Sequence, residues 1–141
     1  GQATVDTGPL GQLLAWVRHG ESVGVYRRVR ELLAALNTGH EGGCGTVHAN
    51  AAEHVPARLE ALGTAAGLDR TALHSQLAAA LSVVVHLVRD RTGLRRISEV
   101  HVLERDGAGL VVTVPALRWA TARFERERGW ERLRSLIGDA R

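Results

Sequence analysis

The sequence contains no lysine; all 18 of its basic residues are arginine. A GxxxxGK[ST] loop, the Walker A motif, needs a lysine, because a compact ammonium on a flexible stem follows the β- and γ-phosphates. That loop is therefore absent from these 141 residues, and no GxGxxG pattern replaces it. The one cysteine, Cys44, cannot close an internal disulfide, which suits a reducing compartment. No run approaches the roughly 20 apolar residues that a bilayer-crossing helix requires. The longest, around Leu77–Leu81 and Val83–Val85, are of a length to fill a core. No basic-then-apolar leader opens the chain, and glycine stands where a start codon would give methionine, as expected of a processed, tagged or excised chain.

What is present is an ordinary globular composition: 45% hydrophobic and 23% charged residues, enough for one domain with a single core. The formal charge of +3 and isoelectric point near 10.3 raise the question of nucleic acid. The arginines, however, are interleaved with acids, as in Arg123-Phe124-Glu125-Arg126-Glu127-Arg128, which reads as a solvated helix face. No direct nucleic-acid binding is expected on that ground.

Along the chain, Leu10, Leu13, Leu14 and Val17 recur at helical spacing, ending near Gly20, and Val29, Leu32, Leu33 and Leu36 mark a second helix over Val25–Asn37. Gly45–Ala49 reads as a short buried strand. Asn50 and Glu53 form a capping-box pattern for a helix over Ala51–Thr64, which Gly67 ends. Asp69 caps the next helix, with Leu73, Leu77 and Leu81 inward. Val83–Val88 is β-branched and strand-like. Arg95–Arg105 and Gly109–Val114 read as strands joined by a hairpin turn at Asp106-Gly107. Pro115 then opens an amphipathic helix carrying Leu117, Trp119, Phe124, Trp130, Leu133 and Ile137. Helices alternating with strands give an α/β layout in which helices cover a sheet.

The stretch that carries chemistry is Leu32-Leu33-Ala34-Ala35-Leu36-Asn37-Thr38-Gly39-His40-Glu41-Gly42-Gly43-Cys44-Gly45-Thr46-Val47-His48-Ala49-Asn50. Glycines around a histidine let the backbone come close to a ligand and turn amide groups toward an anion. His40 and His48 flank that loop–strand unit, and either imidazole can donate to phosphate or water. Zinc held by His40, Cys44 and His48 would match the donor types but no standard spacing, so no metal site is assigned. His54, His74, His86 and His101 read as structural or surface residues.

From Leu32 through the histidines to Leu62, the sequence resembles the histidine box of type II/IV secretion system ATPases, nearest to their tight-adherence pilus and conjugal-transfer branch. The likeness continues through Gly67-Leu68, Gln76–Ala80, Val85-His86-Leu87 and Arg95–Val100, so it covers about Val29 to Leu103. The resemblance implies the C-terminal part of a RecA-like P-loop ATPase domain, with helices on a mixed sheet. It implies a hexameric ring at the cytoplasmic, inner face of the cell membrane, peripheral to it and working with inner-membrane secretion or pilus platform proteins. ATP and Mg²⁺ are the cofactors implied for a full-length member, and pilus assembly, secretion or conjugal transfer the work done. His40 would contact the γ-phosphate region, His48 would support that loop from the strand, and Gly39 and Thr46 would fix its shape. Arg95 and Arg96 are candidates to neutralise phosphate charge.

The departures from the family pattern divide the chain into a divergent segment over residues 1–28, a partial ATPase region over 29–114 and the C-terminal helix over 115–141. In the first segment Gly20-Glu21 has the residue pair of a Walker B motif, two positions too far from Val29 and without a preceding apolar strand. Glu21 is the candidate for the water-polarising carboxylate. Hydrolysis needs a held triphosphate, a bridging metal and an oriented water together, so this chain by itself is expected to be an inactive fragment. The alternative is a non-enzymatic interaction module derived from such an ATPase.

Overall fold

A computed structural model describes residues 2–6 and 44–138. The two helices expected over Leu10–Gly20 and Val25–Asn37 lie outside the described residues, as do Glu21, Gly39 and His40. The elements are β1 (Gln2–Asp6), β2 (Cys44–His48), a 3-10 turn (Ala52–His54), α1 (Val55–Ala65), α2 (Arg70–Ala80), β3 (Val83–Arg89), β4 (Arg95–Arg105), β5 (Val111–Ala120), β6 (Arg123–Arg126) and α3 (Trp130–Gly138). The strands form one six-stranded sheet in the order β2-β1-β3-β4-β5-β6.

The α/β layout holds, with one correction. Every hydrogen-bonded strand pair in the described sheet is antiparallel, so the sheet is not mixed. The parallel relation survives only at one remove. β2 and β3 both run antiparallel to β1 and so point the same way. The α1–α2 pair is the crossover that returns the chain between them, which is why two helices fit where a hairpin turn would not.

Alternation along the strands sends side chains to two apolar layers. On one face Leu59, Leu62, Leu73 and Leu77 of α1 and α2 bury against Val47, Val84, Leu103 and Val111. On the other, Leu133 of α3 buries against Val83, Val102, Val114 and Ala116. Gly63 lets the two crossover helices meet, since a Cβ there would stand 2.7 Å from Leu73 Cδ2.

The helix signals held in part. Asp69 caps α2 as its sequence position suggests, its carboxylate accepting from Ala72 N at 3.0 Å. Gly67 ends α1 in the left-handed region at φ +88°, with Leu68 N donating to Gly63 O at 3.0 Å. The expected capping box at Asn50 and Glu53 is not formed. The chain enters through the 3-10 turn, whose cap residue is Ala51 and carries no side-chain bond. Pro56 sits in the first turn of α1, where a missing N–H costs nothing.

Both hairpins around β4 are built alike. Asp90 Oδ1 accepts from Thr92 N at 2.8 Å and Leu94 N at 3.1 Å, and Asp106 Oδ1 accepts from Ala108 N and Leu110 N at 2.9 Å each. The glycine at positive φ is the fourth residue of each loop, Gly93 and Gly109. The turn therefore spans Asp106–Leu110 rather than closing at Asp106-Gly107.

The largest correction lies at the C-terminus. Residues 115–126 are not helix: Pro115 is inside β5, and Trp119 and Phe124 face each other across the β5–β6 pair. Proline is tolerated within this inner strand because the β4–β5 register shifts by one residue beside it, between Val100 and His101. The helix begins only at Trp130.

Candidate functional site: the carboxyl end of β2 and the β3–β4 hairpin

The end of β2 is positioned by register. Gln2 of β1 pairs with His48 on one side and Leu87 on the other, and Leu87 pairs with Ile97. Two residues further along, Arg89 pairs with Arg95. The Thr46–Asn50 exit of β2 and the hairpin bearing Arg95 and Arg96 thus share one end of the sheet. They remain apart sideways: three strand spacings, about 14 Å, separate β2 from β4. Thr46 is placed opposite Thr4 of β1. His48 is half-buried, and it lies on the sheet face opposite to Val47, which joins the α1–α2 core.

Arg96 is committed locally. Its Nε donates to Asp90 Oδ2 at 2.5 Å, inside the hairpin loop. Thr92 and then Arg96 hold the Asp90 carboxyl well below the usual carboxylate range. The pair pins the hairpin and leaves Arg96 little capacity for a phosphate.

Behind β2 lies a group that reads in the sequence as plain structural histidines. His86 is 5% exposed and His101 4%. The Ser98 hydroxyl donates to His86 O at 3.2 Å, so its oxygen is free to accept from His86 Nδ1–H at 2.9 Å. His86 Nε2 has no hydrogen bond of good geometry among the described residues. Burial pushes the His86 imidazole down from its ordinary value, and the neighbouring Ala49 backbone and Glu99 carboxylate oppose that shift. Neither ring nitrogen of His101 has a hydrogen bond among the described residues, and its Nε2 stands 3.6 Å from Glu99 Oε1. The Val-His pair in each of two adjacent strands, Val85-His86 and Val100-His101, was the signal available in the sequence; that the two rings share the α1–α2 face follows from the register, in which Val84 pairs with His101 and His86 with Glu99.

His74 forms a separate clamp. Its Nδ1 accepts from Val111 N at 2.9 Å, so Nε2–H donates to Glu60 Oε2 at 2.7 Å, tying α2 to both α1 and β5. His54 is exposed, on the 3-10 turn.

The described residues supply a strand end and a pinned hairpin for a nucleotide site, but no cluster for a divalent cation, and Arg96 is held by Asp90. By themselves they do not fit ATP and Mg²⁺, and no hydrolytic step is derived through those groups. No helix among the described residues is long and apolar enough to cross a membrane.

An α/β sheet with a helical crossover leaving a histidine-bearing strand is the class this geometry defines. Residues 17–94 match the family described as type II/IV secretion system protein, and the chain belongs to that family. Two proteins from different strains of Mycobacterium tuberculosis, each provisionally described as a conjugal transfer protein, are 63% identical to it over 87 residues. The match covers 61% of this chain and spans about a quarter (25%) of each relative.

Proposed function

We propose that this chain is the C-terminal portion of a motor ATPase subunit for secretion, pilus assembly or conjugal transfer, carrying the histidine-box side of a RecA-like nucleotide site. The observation that supports this reading is the family match over residues 17–94, which takes in the whole Gly39–Asn50 segment and the crossover from β2 to β3. In this reading His40 faces the γ-phosphate of bound ATP and Mg²⁺, and Gly39, Thr46 and His48 hold the loop. Arg95 is the arginine assigned to phosphate charge in this reading, and Arg96 is engaged by Asp90. Hexameric assembly and a peripheral place at the inner face of the membrane, against a secretion platform, belong to the same proposal.

The chain has no lysine to hold the β- and γ-phosphates, so turnover by itself is expected to be nil. The test is calorimetry with a non-hydrolysable ATP analogue and Mg²⁺, beside a phosphate-release assay. Weak binding that His40→Ala removes, with no turnover, is the expected result. Turnover by the purified chain that His40→Ala abolishes would overturn its incompleteness. An absence of binding heat would replace the nucleotide-facing role with that of an interaction module.

A further inference from the structure

The mixed charge of Arg123–Arg128 speaks against nucleic acid only where the segment is a helix face. In the structure that segment is strand β6 and the turn that follows it. A strand has a period of two, so it sorts alternating residues instead of mixing them. Glu125 and Glu127 go to the side of Arg118, which holds them at 3.4 and 3.0 Å. Phe124 and Arg126 go to the other side.

That second side is an open platform. Trp119 and Phe124 lie edge to face with ring centroids 5.0 Å apart, and they are 39% and 41% exposed. Ile97, on the same face through its pairing with Leu87, is 40% exposed. Arg126 lies 4.7 Å over the Trp130 ring at one margin, and the two nearby carboxylates, Glu125 of β6 and Glu127 just after it, are already engaged by Arg118. Arg89 lies on this face at the far margin, its guanidinium donating to the Gly93 carbonyl rather than to an acid. The platform is therefore aromatic at its centre and cationic at two edges, and α3 covers only the neighbouring part of the face around Val102 and Val114.

We propose that this β5–β6 face binds single-stranded nucleic acid, with bases stacking on Trp119 and Phe124 and phosphates drawn to Arg126 and Arg89. Exposed rings on a sheet with arginine at the margin fit an unpaired base, which offers a π-face, followed by a phosphate. A duplex hides its base faces and gains only from the charge.

The test is fluorescence anisotropy of a labelled oligothymidylate of about 12 nucleotides, within the span one such platform covers. The full chain is used at low salt, with an oligouridylate of equal length to separate DNA from RNA. Trp119→Ala and Phe124→Ala are each expected to weaken binding about tenfold. Phe124→Leu, which keeps apolar bulk on the strand, should do much the same. Arg126→Gln should flatten the salt dependence by about one unit of slope. Three results would overturn the proposal: no binding of either oligonucleotide, equal binding of a duplex, or affinity indifferent to Phe124→Leu. Ring-dependent capture of an acidic peptide without oligonucleotide binding would also overturn it, assigning the face to a protein partner.

Discussion

Removing the His74 ring tests whether the crossover helices are fastened to the sheet by one histidine. In His74→Ala, the Val111 N–H loses its acceptor while staying buried, at about 1–3 kcal/mol. Glu60 keeps Arg70 at 2.9 Å and is partly exposed, so losing its bond to His74 adds only about 0.5–1 kcal/mol. His74 is 3% exposed, and the void left by its ring brings the expected loss to about 3–5 kcal/mol. Urea unfolding followed by far-ultraviolet circular dichroism should show the midpoint falling by about 1.5–3 M, taking a slope near 1.5–2 kcal/mol per M. His74→Asn, whose Oδ1 can take the place of Nδ1 toward Val111, should recover about half of the loss.

The His74 bond holds the Glu60 carboxyl below its ordinary value, against partial burial and with help from Arg70. A carboxylate with a depressed folded-state pKa stabilises fully above its unfolded value, and the contribution disappears as pH falls through the folded one. The stability gap between the parent chain and Glu60→Gln should therefore close below about pH 4. A loss under 1 kcal/mol for His74→Ala, or a gap that widens in acid, would refute this account of the clamp.

Two further substitutions probe the half of the sheet that carries the aromatic face. A Cβ on Gly129 would stand 2.9 Å from Val102 Cγ2 and 3.0 Å from the backbone oxygens of Val114 and Pro115, so Gly129→Ala should cost about 1–3 kcal/mol in the same unfolding assay, whereas Gly138→Ala, with open space around it, should be near neutral. Thr121 and Ala122 form the two-residue turn between β5 and β6 with φ of 48° and 66°, so Ala122→Gly should raise stability by about 1 kcal/mol, and a loss instead would show that the turn is not in the left-handed region.

That last turn explains why the C-terminal third reads wrongly from sequence. A two-residue hairpin normally announces itself by Asn-Gly or Asp-Gly, and Thr121-Ala122 carries no such mark. Pro115 imitates a helix start, and Leu117, Trp119, Phe124 and Trp130 are spaced loosely enough to imitate a helix face. The ambiguity is settled by pairing across β4, which a local pattern does not contain. A hairpin at Asp106 was legible because the aspartate closes the loop within four residues, but its extent to Leu110 was not, since the glycine at positive φ is Gly109 and not Gly107. The Asn50 cap failed for the opposite reason: the chain needed a 3-10 turn to bury Ala52 and Val55 against the sheet, and that placement overrode a local hydrogen bond.

The sequence by itself determined the family, through a long ordered match around Gly39–Asn50, and also the crossover helices and the strands β2 to β4, whose signals are local: apolar period, an aspartate cap, a glycine stop. Only the tertiary structure decided which charges and rings share a face. It put Glu125 and Glu127 with Arg118 and left Trp119, Phe124 and Arg126 on the open side. The physical reason is that neighbours along a strand point apart while partners on adjacent strands point together, and partners are chosen by register, which no single stretch of sequence encodes.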